Sequence, residues 1–448
     1  MNMKEYLFSK RQVYEIIVPL IMEQVFMAAI GMFDVMMVSG LGEQAISAVS
    51  LVDFINQLIT SVLTALSTGG AIVCSQYLGR KNRKSAGEAA EQLIMLVLAA
   101  GVLFWIIAGM GNYAILNVIY GTLEKEVIEN AAIYFGLSAI SYPFIALFCC
   151  SAAIIRALGY TKTSFRISLL MNIMNIVLNA FFIFKLRWGV FGAGLASLLS
   201  RSFVSVMLFV LLICRQDTLR FRALKKWRLK RKAAGTILQF AIPTSLESSV
   251  FYIGRLLVQG VVTGFGTSAI AANAVALTVT EFLHMPGAGI GIGMITVVGR
   301  CIGAEEKEQA RWYGAYLLRL TYLIQGICCL ICMAVTEHII DWYHLSEEAN
   351  RLAVLMLMTH GVICIVFWPM AFTGANVLKA AGDVRFTMII SIATMWLFRV
   401  GGSYLFVNLF PAIGVIGVWC AMYCDWIARA VIYYLRFRGN IWMEKQVK

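Results

Sequence analysis

Long apolar stretches repeat along the whole chain, separated by short polar connections. They lie near 14–39, 46–78, 92–112, 128–155, 164–185, 189–214, 234–264, 269–301, 312–336, 352–378, 386–408 and 412–435. A run of roughly 20 apolar residues crosses a bilayer as a helix that satisfies its own backbone polar groups. The pattern predicts an all-α integral membrane protein of about twelve transmembrane helices. Within the first run, after Pro19, stand two carboxylates, Glu23 and Asp34. Ionisable residues at membrane depth are expensive and usually face a bundle interior or a cavity.

The first run is one of a pair. A gapless shift of 224 residues superimposes Pro19 on Pro243, Glu23 on Glu247, Gly40 and Gly42 on Gly264 and Gly266, Gly69 on Gly293, Gly79 on Gly303 and Ala86 on Ala310. Further along, RALG from Arg156 meets KAAG from Lys379, and GVFGAGLA from Gly189 meets GVIGVWCA from Gly414. This repetition, displaced by 223 to 225 residues along the chain, predicts two six-helix lobes, 1–214 and 233–448, joined by a basic cytoplasmic linker at 215–232. An even number of spans per lobe makes the repeat parallel, about an axis along the membrane normal.

Composition agrees with this medium: of 448 residues, 60% are hydrophobic and 14% charged, and mean hydropathy is +0.80. Soluble domains are far more polar. The net charge of +13 raises the question of nucleic acid, and its placement answers it. Of 37 Lys and Arg, 27 fall in alternate connections and at the two termini, nine of them between Arg215 and Lys232, while the opposite connections hold only Lys125, Lys185, Arg187 and Arg351. Positive residues stay on the cytoplasmic side, so both termini are expected there, with membrane lipids as partners of the linker and no nucleic acid. The N-terminus lacks a signal-peptide pattern. The eleven Cys have no disulfide or zinc spacing and read as small apolar residues.

Interior polar residues carry the chemistry. Asp34 lies fifteen residues after Pro19, or about 22 Å along a helix. It is either a hydrated or hydrogen-bonded structural carboxylate, or one that takes a proton or Na⁺ and changes local packing; Pro19 would let the helix bend with it. Asn175 and Asn179 share one face of the fifth span, either clipping helices together or offering oxygen ligands. Glu23 and Glu247 occupy equivalent repeat positions. They either flank a path for cationic substrates or pair with interior Arg, for which Arg255 is the candidate partner of Glu247. Asp425 and Arg429, four apart, are expected to form an ion pair with Arg399 as second partner. His284 and His360 read as isolated histidines on apolar faces. No nucleophile elbow, phosphate loop or His-rich cluster occurs, so no enzyme and no cofactor are expected.

The Pro19-to-Asp34 spacing with DVMMVSGLGEQAISAVS, NIMNIVLNAFFIF followed by GVFGAGLAS, IPTSLESSVFYIGRLLVQGVVTGFGTSAIAANAV, and KAAGD from Lys379 together make the chain resemble the multidrug and toxic compound extrusion (MATE) transporters over essentially its full length. The resemblance implies a secondary antiporter in a bacterial plasma membrane, a monomer in which an inward H⁺ or Na⁺ gradient drives cationic or amphipathic drugs out through a V-shaped cleft. It implies that Asp34 is the acid of the N-lobe cation site, that Pro19 marks the helix bend, and that Asn175, Asn179 and Ser197 complete the site. Na⁺ at Asp34, Asn175 and Asn179 is one occupant. Asn179 departs from the Asp common at that position, which favours H⁺. Glu247 resembles the seventh-helix acid of the NorM branch, whereas the tenth helix offers only His360 in place of an acid. A flippase of the same superfamily, moving lipid-linked sugars or phospholipids, is the alternative; Arg201, Arg255 and Arg399 speak for it.

Overall fold

The computed structural model describes residues 6–121, 124–214, 219 and 228–445, with side chains for all of these but 30–36 and 39. The described residues are helical throughout, with no strand among them. In chain order the helices are α1 (Lys10–Ser39), α2 (Glu43–Gly79), α3 (Arg83–Tyr120), α4 (Lys125–Ala157), α5 (Thr161–Asn179), α6 (Gly189–Cys214), α7 (Arg231–Thr263), α8 (Thr267–Gly303), α9 (Lys307–Asp341), α10 (Glu347–Trp368), α11 (Gly374–Ala381), α12 (Val384–Thr394), α13 (Gly402–Leu409) and α14 (Ile416–Arg438). The wider π-turn Pro369–Thr373 runs α10 into α11, and a second, Met395–Gly401, runs α12 into α13. The rods therefore number twelve among the described residues. Ten are long and apolar enough to cross a membrane; α7 and α14, the other two, carry interior charges.

The repeat is visible residue by residue. α2 and α8 both have 37 residues and begin at positions 224 apart. Each is preceded by a glycine in a positive-φ conformation, Gly42 at 102° and Gly266 at 88°, which a side chain would strain. Each ends in a turn held by a positive-φ residue, Lys81 at 58° and Glu305 at 63°. At ~1.5 Å per residue these helices reach about 55 Å, well beyond a hydrocarbon core of about 30 Å, so they must tilt or project from it.

The chain forms two compact units, but they do not divide at a single point. One comprises Met1–Val25 with Leu246–Lys448, the other Phe26–Ser245. Thus α1 and α7 each contribute their first half to one unit and their second half to the other. Small residues explain how the first halves dock. A Cβ on Gly69 of α2 would lie 2.4 Å from the backbone of Ala241 on α7, and one on Gly289 of α8 would lie 2.7 Å from the backbone of Ile21 on α1. Glycine lets those backbones touch, as at tight helix crossings in membranes. Thr244 Oγ1 adds a hydrogen bond across the first contact, to the Ala65 carbonyl at 2.9 Å. In the same unit Lys230, just before α7, meets Glu88 of α3 at 2.9 Å, and Gln92 brackets the backbone of 228–230. Helix α3 itself is capped by Asn82, whose side chain accepts from the Ser85 amide.

Proline stands inside α1, α4, α7 and α8. Each removes one helical hydrogen bond and marks a place where the rod can bend.

Candidate functional site

In the unit of residues 26–245, the predicted amide pair is assembled. Asn179 Nδ2 donates to Asn175 Oδ1 at 3.2 Å, and Asn175 Nδ2 lies 3.2 Å from Ser197 Oγ and 3.5 Å from Ser200 Oγ on α6. Both asparagines are buried. Asn179 is the last residue of α5 before a π-turn, Ala180–Lys185, which widens the helix beside this cluster. Another asparagine of α5, Asn172, turns instead to the Ser168 carbonyl at 2.8 Å. The side chain of Asp34 lies outside the described residues. Its backbone continues α1 into this unit, fifteen residues beyond Pro19, which stands in the other.

A second polar cluster in this unit, Arg201 apart, has no counterpart in the sequence expectations. Asp53 Oδ1 on α2 accepts from Asn56 Nδ2 at 3.2 Å and from Tyr134 OH on α4 at 3.1 Å. Asn56 in turn meets Ser138 at 3.2 Å and Tyr142 at 2.9 Å, and Arg201 of α6 donates to Ser141 at 3.1 Å. The available signal was Asp53 itself, a carboxylate eleven residues into a membrane helix with an amide one turn on.

In the unit of residues 1–25 and 246–448, each interior acid takes a definite place. Glu23 is buried. Lys379 Nζ sits 2.9 Å from both carboxylate oxygens of Glu247, and Ser391 Oγ donates to one of them at 2.8 Å. Arg255 pairs with Glu281 of α8 at 2.9 Å, not with Glu247, because Lys379 of the repeat-matched KAAG turn already occupies that carboxylate. Asp425 and Arg429 form the expected pair at 2.9 Å. Arg399 directs its guanidinium to Met422 Sδ at 3.1 Å and over the Phe251 ring at 5.7 Å.

A cavity of about 200 Å³ opens among these groups, lined by Phe251, Trp368, Phe372 and Trp426 together with Arg255, Glu281 and Arg399. The two π-turns of this unit serve it: Trp368 and Phe372 stand at Pro369–Thr373, Arg399 in Met395–Gly401. His284 and His360, expected to be isolated, meet there with their Nε2 atoms 3.2 Å apart. They are 76 residues apart in sequence, and the packing of α8 on α10 brings them together.

The Glu247 geometry gives a first prediction. Glu247→Gln removes the counter-charge of a mostly buried ammonium, so thermal unfolding in detergent should shift to lower temperature. Export of cationic and of neutral compounds, the activity the resemblance implies, should fall alike. Selective loss for cations, with unchanged thermal stability, would place Glu247 on the substrate path instead.

The MatE family profile matches residues 19–181 and again 243–405, the two copies being displaced by the repeat interval. The chain belongs to the MatE family. Among curated relatives, a probable multidrug resistance protein NorM of Thermotoga maritima is 25% identical over 98% of this chain and 94% of its own. An uncharacterized transporter of Bacillus subtilis, YisQ, is 23% identical over 95% and 94%. Among solved structures, MATE in its straight conformation superimposes with a TM-score of 0.90 at 21% identity, covering 98% of this chain and 97% of that one. A MOP superfamily transporter from Pyrococcus furiosus, whose reverse polarity of the binding pocket suggests a different function, superimposes with a TM-score of 0.89 at 22% identity over 96% and 95%. The MatE protein described here is thus a multi-pass membrane transporter and not an enzyme.

Proposed function

We propose that this MatE protein is an antiporter of a bacterial plasma membrane that exports cationic or amphipathic organic compounds in exchange for H⁺, with both termini cytoplasmic and the monomer as the working unit. The observation that carries the choice of ion is the chemistry of the cluster: Asn175, Asn179, Ser197 and Ser200 contribute amides and hydroxyls, and Asn179 offers an amide in place of the commoner Asp. Na⁺ is a hard cation whose binding strengthens with each anionic oxygen. A proton needs one acid and neighbours that hydrogen-bond its neutral form, the part assigned to Asp34.

Purified protein in proteoliposomes, with pH and Na⁺ gradients imposed separately, tests this. Efflux of a fluorescent cation should follow the pH gradient and change little with Na⁺, and Asn179→Asp should introduce a Na⁺ dependence. A wild-type requirement for Na⁺ that ignores the pH gradient would overturn the proton reading.

A second reading, transport of lipid-linked sugars or phospholipids, is favoured by Arg255 and Arg399 at the cavity, since guanidinium groups suit phosphate. Competition by anionic lipids, with none by organic cations, is the result that would select it.

A further inference from the structure

From the His284–His360 meeting we infer a soft-metal site: His284 of α8 with His360 and Cys364 of α10 forms a Cu(I)-binding triad in the C-terminal unit. The ligand atoms of the three residues all lie within 4.8 Å of one another. Two imidazoles bound to one ion at metal–nitrogen distances near 2.0 Å place their nitrogens roughly 3.3 Å apart, and the Nε2 atoms here are 3.2 Å apart. Cys364 follows His360 by one helical turn, so the same face of α10 supplies both. Gln325 Nε2 of α9 lies 3.3 Å from Cys364 Sγ and orients it. Two buried polar atoms beside the cluster, His360 Nδ1 and Gln325 Oε1, have no hydrogen-bond partner among the described residues. Unsatisfied buried groups are rare and frequently mark a place for an ion or a water. His284 and His360 also line the cavity, which supplies an entry path.

The donor set, two imidazoles and a thiol, suits copper or zinc and is a poor match for a hard cation. Charge decides between the two. Arg399 lines the same cavity and is buried. A thiolate bound to Cu(I) is neutral overall, whereas with Zn²⁺ the centre keeps a positive charge beside that guanidinium. On binding, the Cys364 Sγ–H proton leaves to solvent as the Cu–S bond forms, and a copper supplied as Cu(I) undergoes no change of oxidation state. The ion would tie α8 to α10 through its ligands.

Full-length protein in detergent, titrated anaerobically with Cu(I) against a chromophoric Cu(I) chelator, tests the site. The other ten Cys make comparison with Cys364→Ser essential, because that isosteric change leaves them in place. The wild type should retain one Cu(I) more per chain than Cys364→Ser or His284→Gln, at least 100-fold more tightly than either variant holds it. X-ray absorption of that copper should show one sulfur and two nitrogen neighbours, and Cu(I) should raise the unfolding temperature of the wild type alone. Equal Cu(I) retention by wild type and both folded variants would overturn the proposal, as would Zn²⁺ displacing Cu(I) at equal concentration. If both variants fail to fold, a copper spectrum of the wild type with sulfur neighbours alone overturns it instead.

Discussion

Asp34→Asn protein should fold, insert and still bind its substrate, yet lose efflux driven by a pH gradient. The substitution keeps the size of the side chain and removes its ability to ionise. A coupled antiporter needs a group whose charge changes between the two directions of its cycle, because an ion shifts an equilibrium only by its differential interaction with the two states. An amide binds no proton in the working pH range, so the pH gradient loses its handle while the substrate site remains. Everted membrane vesicles loaded with a fluorescent cation provide the measurement, with expression and thermal unfolding as controls. Asp53 makes the test sharper, as a second carboxylate in the same unit. Its carboxyl already accepts from Asn56 and Tyr134, which gives it a structural occupation. Asp53→Asn should therefore retain dependence on the pH gradient. If Asp34→Asn effluxes like the wild type and Asp53→Asn does not, coupling belongs to Asp53.

Much of the fold was legible because the repeat is carried by residues with backbone consequences. The glycines at 42 and 266 match under the shift, and in the structure both hold the positive φ that starts a long helix. Gly69 belongs to the same matched set, and its role is close approach to the backbone of Ala241. The exchange of first halves by α1 and α7 was not legible. Hydropathy gives the length of a span, but not which neighbours it packs against.

The site divides in the same way. Asn175 and Asn179 lie within one turn of each other, and local spacing was enough to put them on one face. The His284–His360 contact, the Glu247–Lys379 pair and the Asp53 cluster join residues separated by 76, 132 and 81 positions. Each depends on helix packing that no periodicity encodes. Arg255 illustrates the consequence: by spacing alone Glu247 was the nearest acid, two turns away on the same helix, yet the neighbouring helix supplied Glu281.

The interior pair on α14 carries the largest expected stability effect. Asp425 and Arg429 are 0% and 3% exposed as side chains, and one guanidinium nitrogen reaches both carboxylate oxygens at 2.9 and 3.2 Å. The same nitrogen lies 3.3 Å from the Ser391 carbonyl, and the guanidinium stacks over Phe372 at 5.2 Å and Phe251 at 5.9 Å. The two halves of the pair are therefore unequally supported. With Asp425 removed, Arg429 keeps a carbonyl and two aromatic faces. With Arg429 removed, Asp425 loses the only hydrogen-bonding partner shown for it among the described residues. Breaking a buried ion pair from one side costs about 3–5 kcal/mol, because a desolvated charge is left behind. Arg429→Leu should thus lower thermal stability by more than Asp425→Asn, which retains an acceptor of similar shape. Replacing both residues with apolar ones should recover most of the loss, since desolvation offsets most of what such a pair contributes. Unfolding of the single and double variants in one detergent provides the measurement. A double variant as unstable as Arg429→Leu alone would mean that the pair stabilises this unit in its own right, beyond cancelling its own charges.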